Sequence, residues 1–193
     1  MTSTKMVEAM LTLIQSRGYA GTGINSVIDH AKVPKGSLYF HFPEGKEQLG
    51  EHAIGVATEQ FRQLVTEAMA SAPTPGAGLH RVVDVLGELL VDSDFQLGCP
   101  VSVVTLEMGG HSDRLRNACA DAYESWIAAV SEYLSSRGHP EPQARALAVT
   151  AVSAVEGAMI VARAMRDTQP LVSTAQAIGS LLDGVALETG SVR

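Results

Sequence analysis

Apolar residues recur along this chain at three- and four-residue steps, and that spacing predicts helices almost throughout. Val7, Met10, Leu11 and Ile14 form the first such track, opened by Thr4 as a cap and stopped at Gly18. Thr22 or Gly23 opens a short second helix with Ile24, Val27, Ile28 and Ala31 on its inner side. Lys32-Val33-Pro34 is a turn, because Pro34 keeps Val33 out of the helical region and is itself welcome at a helix start. A third helix covers about residues 35–40. Gly36 gives it little stability of its own, so its position must come from Val33, Leu38 and Phe42 packing on the first two helices. Two short helices and a tight turn over a third make a helix-turn-helix unit.

Pro43-Glu44-Gly45 breaks the chain, and a long fourth helix follows from Lys46 to about Met69. Ser71 to Gly78 reads as a loop by turn composition. A fifth helix is expected over Leu79–Val91, a sixth from Pro100 through Glu107, and a seventh from Ser112 through Leu134. The last two differ in kind. The segment from Gln143 to Met165 is nearly free of charge across its middle, and a final helix begins at Pro170-Leu171. A helix apolar on nearly all sides must be buried on nearly all sides, and a partner subunit is one way to achieve that. A symmetric homodimer is therefore expected through Ala151, Ala154, Val155, Ala158 and Ala162 of one helix and Ile178, Leu181, Leu182 and Val185 of the other. The expected fold is all-α with about nine helices. Residues 1–46 would be a three-helix helix-turn-helix head, and 47–193 a helical body that dimerises and binds an effector.

Composition narrows the class. Apolar content of 46% excludes a mainly disordered chain. The net charge of −7 is unevenly spread: residues 1–50 hold five Lys/Arg against four acids, so the acidity lies in the remainder. With no basic tail or stripe, any nucleic-acid binding must depend on geometry rather than on bulk charge. Cys99 and Cys119 sit at no metal-like spacing, and neither a secretory signal nor a run of 18 apolar residues is present. The expectation is a cytoplasmic protein with no membrane partner, metal or cofactor. The six histidines are scattered, and no HExxH, GxSxG or phosphate-binding loop occurs, so no catalytic activity is expected.

The chemistry concentrates in the third helix. Lys35 and Ser37 stand at its start, where a lysine can donate to guanine and a hydroxyl can serve a base or a phosphate. Gly36 would let the backbone come close to DNA. Lys46 begins the fourth helix, where its charge and the free N–H groups of that terminus favour a phosphate. In the body, helix phases point Phe61, Leu64, Val83, Leu86, Val104, Met108, Trp126, Val130 and Met159 inward as candidate pocket walls. Glu107 and Glu156 sit among apolar neighbours, where a ligand donor, Arg163 or a partner chain could satisfy them. So few polar groups favour a small, mostly apolar or aromatic effector. A helical dimeric interaction protein without DNA binding is the alternative, but it leaves Lys35 to His41 without a use.

The head resembles the DNA-binding domain of the TetR family of transcriptional regulators. The residues that carry this are Gly18-Tyr19, the short second helix ending in Ala31, and Val33 to Phe42 followed by Lys46 and Leu49. The body resembles the LmrA/YxaF-like branch through Phe42 to Lys46, Gly98-Cys-Pro-Val101, Trp126, Glu156-Gly-Ala, Ala162-Arg163 and Pro170-Leu171. The resemblance implies a dimeric repressor that binds a palindromic double-stranded operator and is released by a small effector that moves the fourth helix. It also implies that Tyr39 and His41 contact phosphates, and that Thr22 and Asn25 touch DNA from the start of helix two.

Overall fold

A computed structural model describes residues 2–184. Among the described residues there are nine α-helices and no strands. They are α1 (Thr2–Arg17), α2 (Ile24–Ala31), α3 (Ser37–His41), α4 (Lys46–Ala70), α5 (Pro75–Asp92), α6 (Pro100–Met108), α7 (Asp113–Ser136), α8 (Glu141–Met165) and α9 (Gln169–Gly184). They form two compact units. One comprises the chain up to Gln60 together with Gly98–Ala122, and the other comprises Phe61–Leu97 and the chain from Tyr123 onward. α4 and α7 each contribute residues to both.

The first unit is built on α1, whose Met6, Met10 and Ile14 are fully buried. Leu38 of α3, Leu49 of α4, Val101 and Val104 of α6 and Leu115 of α7 are equally buried. The helix-turn-helix core expected from the apolar spacing is present. α6 and the start of α7 belong to the same unit, from far along the chain.

In the second unit, α5 and α9 pack so closely that backbones meet. A Cβ on Gly76 would lie 2.6 Å from an Asp183 carboxylate oxygen and 2.7 Å from the Gly179 carbonyl oxygen, so Gly76 needs to be glycine, and one on Gly179 would press on the Gly76 Cα at 3.3 Å. Asp183 of α9 accepts from the Gly76 N–H at 2.7 Å and from the Thr74 hydroxyl at 3.0 Å, while the Thr74 oxygen accepts from the Ala77 N–H at 3.2 Å. The loop expected over 71–78 is thereby corrected, because its second half is the first turn of α5. Pro75 suits the first helical position, and the glycines mark close packing rather than a turn.

α8 buries a face of Ala144, Ala148, Ala151, Val152, Val155, Ala158, Met159 and Ala162 inside its own unit. Four expected dimer contacts, Ala151, Val155, Ala158 and Ala162, therefore lie in the chain's own core, as does Leu182 of α9. Ala154 and Ile178 are partly buried, Leu181 is 55% exposed, and Val185 lies outside the described residues. The side of α8 left open carries Val149, Ile160, Val161 and Met165. By length and composition α8 could also cross a membrane, although its alanine face is core.

Candidate nucleic-acid interface

α3 is five residues long and stands on two core side chains: Leu38 is fully buried, and Phe42, one turn on, is 3% exposed. Residues between them face away from the core. Tyr39 is 61% exposed and Phe40 82%, and Lys35 and Gly36 in the entry turn are exposed as well. Ser37 is partly buried and donates its N–H to the Pro34 carbonyl at 3.0 Å. His41 is partly buried, its ring edge-on to Phe40 at 5.0 Å between centroids. Asn25 is exposed in the first turn of α2. Gly36 has an ordinary φ of −68°, and an added Cβ would meet no atom within 4 Å. Neither its backbone conformation nor its own packing requires a glycine there.

Phe40 is not among the expected contacts, although its spacing places it on the outward side. It lies two residues from both Leu38 and Phe42, on the opposite side of a helix those two anchor.

One expected DNA contact, Thr22, turns inward and is corrected, while Lys46 is partly buried and donates one ammonium N–H within the head. Thr22 is fully buried, with its hydroxyl donated to the Gly18 carbonyl at 2.6 Å and its N–H to the Tyr19 carbonyl at 3.1 Å. The Lys46 ammonium donates to the same Tyr19 carbonyl at 2.7 Å and stands 4.1 Å from the centre of the Tyr19 ring. It ties the start of α4 to the turn after α1, and burial lowers its pKa against the pull of Glu107.

Burial pushes the Tyr19 phenol up to about 12, and the charge of Glu47 adds to the effect. A pKa raised in the folded state gives stability that is full below pH 10 and is lost as pH rises toward 12. Over that window the wild type should lose about 2–3 kcal/mol relative to a Tyr19→Phe variant, read by denaturant titration at stepped pH.

The expected pocket residues divide. Val104, Glu107 and Met108 belong to the first unit, where Val104 is core and a Glu107 carboxylate oxygen accepts from the Ala20 N–H at 2.8 Å. None of the three lines the cleft of the second unit. In the second unit a cleft with about 390 Å³ of empty space, its opening included, is lined by Phe61, Val65, Met69, Leu79, Val82, Val130, Ala151, Val152, Val155 and Glu156. Of the expected walls only Phe61, Val130 and Glu156 line it. Trp126 packs on Phe61 at 4.5 Å between ring centroids. Val83, Leu86 and Met159 are core, with Leu64 packed against it, because α5 meets the cleft with Leu79 and Val82 instead. Arg163 donates to the Phe95 and Gln96 carbonyls at 3.3 and 2.7 Å, which holds the α5–α6 loop.

Two stretches of the chain match known families. Residues 7–53 match the family model described as bacterial regulatory proteins of the tetR family. Residues 75–177 match the C-terminal domain of LmrA/YxaF-like transcriptional regulators. The HTH-type transcriptional regulator LmrA of Bacillus subtilis is 32% identical over 178 residues, covering 92% of this chain and 95% of that protein. The HTH-type transcriptional repressor DhaR of a Mycobacterium species is 26% identical over 122 residues, 63% of this chain and 60% of its own. Among solved structures, a TetR regulatory protein of Rhodobacter sphaeroides is 25% identical with a TM-score of 0.80, covering 91% of this chain and 96% of its own. A TetR regulator of Legionella pneumophila, 19% identical, shares the fold with a TM-score of 0.81 over 92% of this chain and 95% of its own. A helix-turn-helix head with an outward-facing third helix, followed by a matching helical body, thus places the chain in the TetR family of transcriptional regulators, in its LmrA/YxaF-like branch.

Proposed function

We propose that the protein is a cytoplasmic, ligand-responsive repressor that binds a palindromic operator as a homodimer. Residues 1–46 read DNA, and 47–193 dimerise and receive the effector. The observation that carries this is the outward row on α3. Lys35, Tyr39 and Phe40 are exposed on an element fixed from below by Leu38 and Phe42, beside a glycine that the chain itself does not need. Lys35 and Ser37 serve base edges and phosphates, Tyr39 and His41 serve phosphates, and Asn25 adds a contact from α2. Phe40 joins the set as an apolar surface for thymine methyl groups. A dimeric interaction protein without DNA contacts would leave this row unused.

The dimer forms through the open side of α8, with Val149, Ile160, Val161 and Met165, and through Leu181 of α9. The effector is small and mostly apolar or aromatic, and it enters the cleft beside Phe61 and Val130, where Glu156 is the one carboxylate of the lining. α4 carries Lys46 near one end and the cleft residues Phe61, Val65 and Met69 toward the other, so its displacement would change the spacing of the two heads.

Selection of duplexes from a random-sequence pool tests the reading. The recovered sites should be inverted repeats with half-site centres about 34 Å apart or a multiple of that. Affinity should fall about tenfold or more between roughly 50 and 200 mM salt, as phosphate contacts release counterions. A flat salt response would remove the phosphate contacts from the proposal.

A further inference from the structure

α6 is bonded to α1 and the turn after it at both of its own ends. Just ahead of α6 the Gly98 N–H donates to the Gln15 carbonyl at 3.1 Å. Near its last turn, Glu107 accepts from the Ala20 N–H at 2.8 Å. Gly18 leaves α1 at φ +79°, and a Cβ there would come 2.1 Å from the second Glu107 oxygen, so the carboxylate occupies the space a side chain would take. The Tyr19 carbonyl in the same turn accepts from both Lys46 and the Thr22 N–H. The α6–α7 corner adds a Ser112 hydroxyl bond to Glu47 at 3.0 Å and ion pairs from Arg114 to Glu44 and Glu51.

The Glu107 and Lys46 contacts fall on the turn that sets the direction in which α2 leaves α1, and those of the α6–α7 corner fall on the α3–α4 turn and the start of α4. α3 is only five residues long, so its aim depends on what holds α2 and the turns. A carboxylate accepting from a backbone N–H is charge-assisted, and stronger than a neutral pair. Glu107 is neither on the DNA-facing row nor among the residues that line the cleft.

We propose that Glu107 is a positioning residue for DNA binding. From α6 it holds the α1–α2 turn in the geometry that presents α3 to the groove, so operator affinity is set in part by where α6 stands. The inference rests on the regulator reading above.

The test uses full-length Glu107→Gln and Glu107→Ala, titrated with a duplex that the wild-type protein selects from a random pool. Removing a negative charge by itself tightens binding to a polyanion, so weaker binding cannot come from net charge. The Ala variant should bind about tenfold more weakly, with faster solvent exchange at the Ala20 amide and an unchanged salt slope, because no phosphate contact is lost. The Gln variant keeps a neutral acceptor and should fall between the two. Faster Ala20 exchange with wild-type affinity would make Glu107 a local cap and overturn the proposal. If the Ala variant does not fold, the Gln variant decides: wild-type affinity in it overturns the proposal, and weaker binding at an unchanged slope supports it. If the wild type selects no duplex, the regulator reading itself fails and the proposal falls with it. If the wild type binds and the Glu107 variants bind equally well, only the proposal falls.

Discussion

A Lys35→Ala/Tyr39→Ala double variant should lose operator affinity by more than about a hundredfold while remaining a folded dimer. A lysine donating to a base edge contributes about 1–3 kcal/mol, and a phenol on a phosphate about 0.5–1.5 kcal/mol. A symmetric dimer on a symmetric site loses each contact twice, so even the lower bounds sum to about 3 kcal/mol, a factor above a hundred. The fold is spared because both side chains point outward, Tyr39 being 61% exposed. Surface changes of that kind usually move stability by under about 0.5 kcal/mol. Electrophoretic or fluorescence titration, run beside circular dichroism and sedimentation, reads all three quantities. Retained binding would mean that some element other than α3 enters the groove.

Ile160→Glu should convert the protein to a folded monomer that binds the operator far more weakly. Ile160 is half exposed, beside Val161 and Met165, at 46% and 62%. A carboxylate there costs the isolated chain little. In a symmetric interface it appears twice and is desolvated without a designed partner, at several kcal/mol for each copy. Once the heads are no longer linked, the second half-site is not bound at high effective concentration, and about 10²–10⁴ of avidity is lost. Sedimentation velocity against thermal unfolding separates the outcomes. A dimer that survives the substitution places the interface on another face.

The helix order could be read from the sequence because apolar spacing alone reports it, and α2, α4 and α6 begin within a residue or two of where the punctuation places them. The start of α5 could not. Pro75-Gly-Ala-Gly78 has turn composition, and only its neighbours in space, Gly179 and Asp183 against Gly76 and Met69 against Gly78, explain why glycine stands in a helix there. The dimer helices could be named but not their faces. On a helix as uniformly apolar as α8, nothing in the local pattern separates the alanines that meet the chain's own core from Ile160 and Val161. Of the expected DNA contacts, Thr22 and Lys46 carry bonds that no local pattern announces. Each has the chemistry for a phosphate, yet each is used to satisfy a backbone carbonyl within the head. Glu107 was read as a ligand group because its true partner, the Ala20 N–H, is 87 positions away and belongs to no sequence motif.

That separation also has a bearing on how the protein is made. Ala20 leaves the ribosome well ahead of Glu107, and at about 5–20 residues per second the interval is of the order of 4–17 s. During that time α1, α2 and α3 exist without α6 and without the start of α7, both of which complete their unit. The nascent chain therefore carries the exposed residues of α3 before it has the rest of the core of that unit. The α1–α3 segment is not a complete folding unit, because its core closes only once Val101, Val104 and Leu115 have emerged.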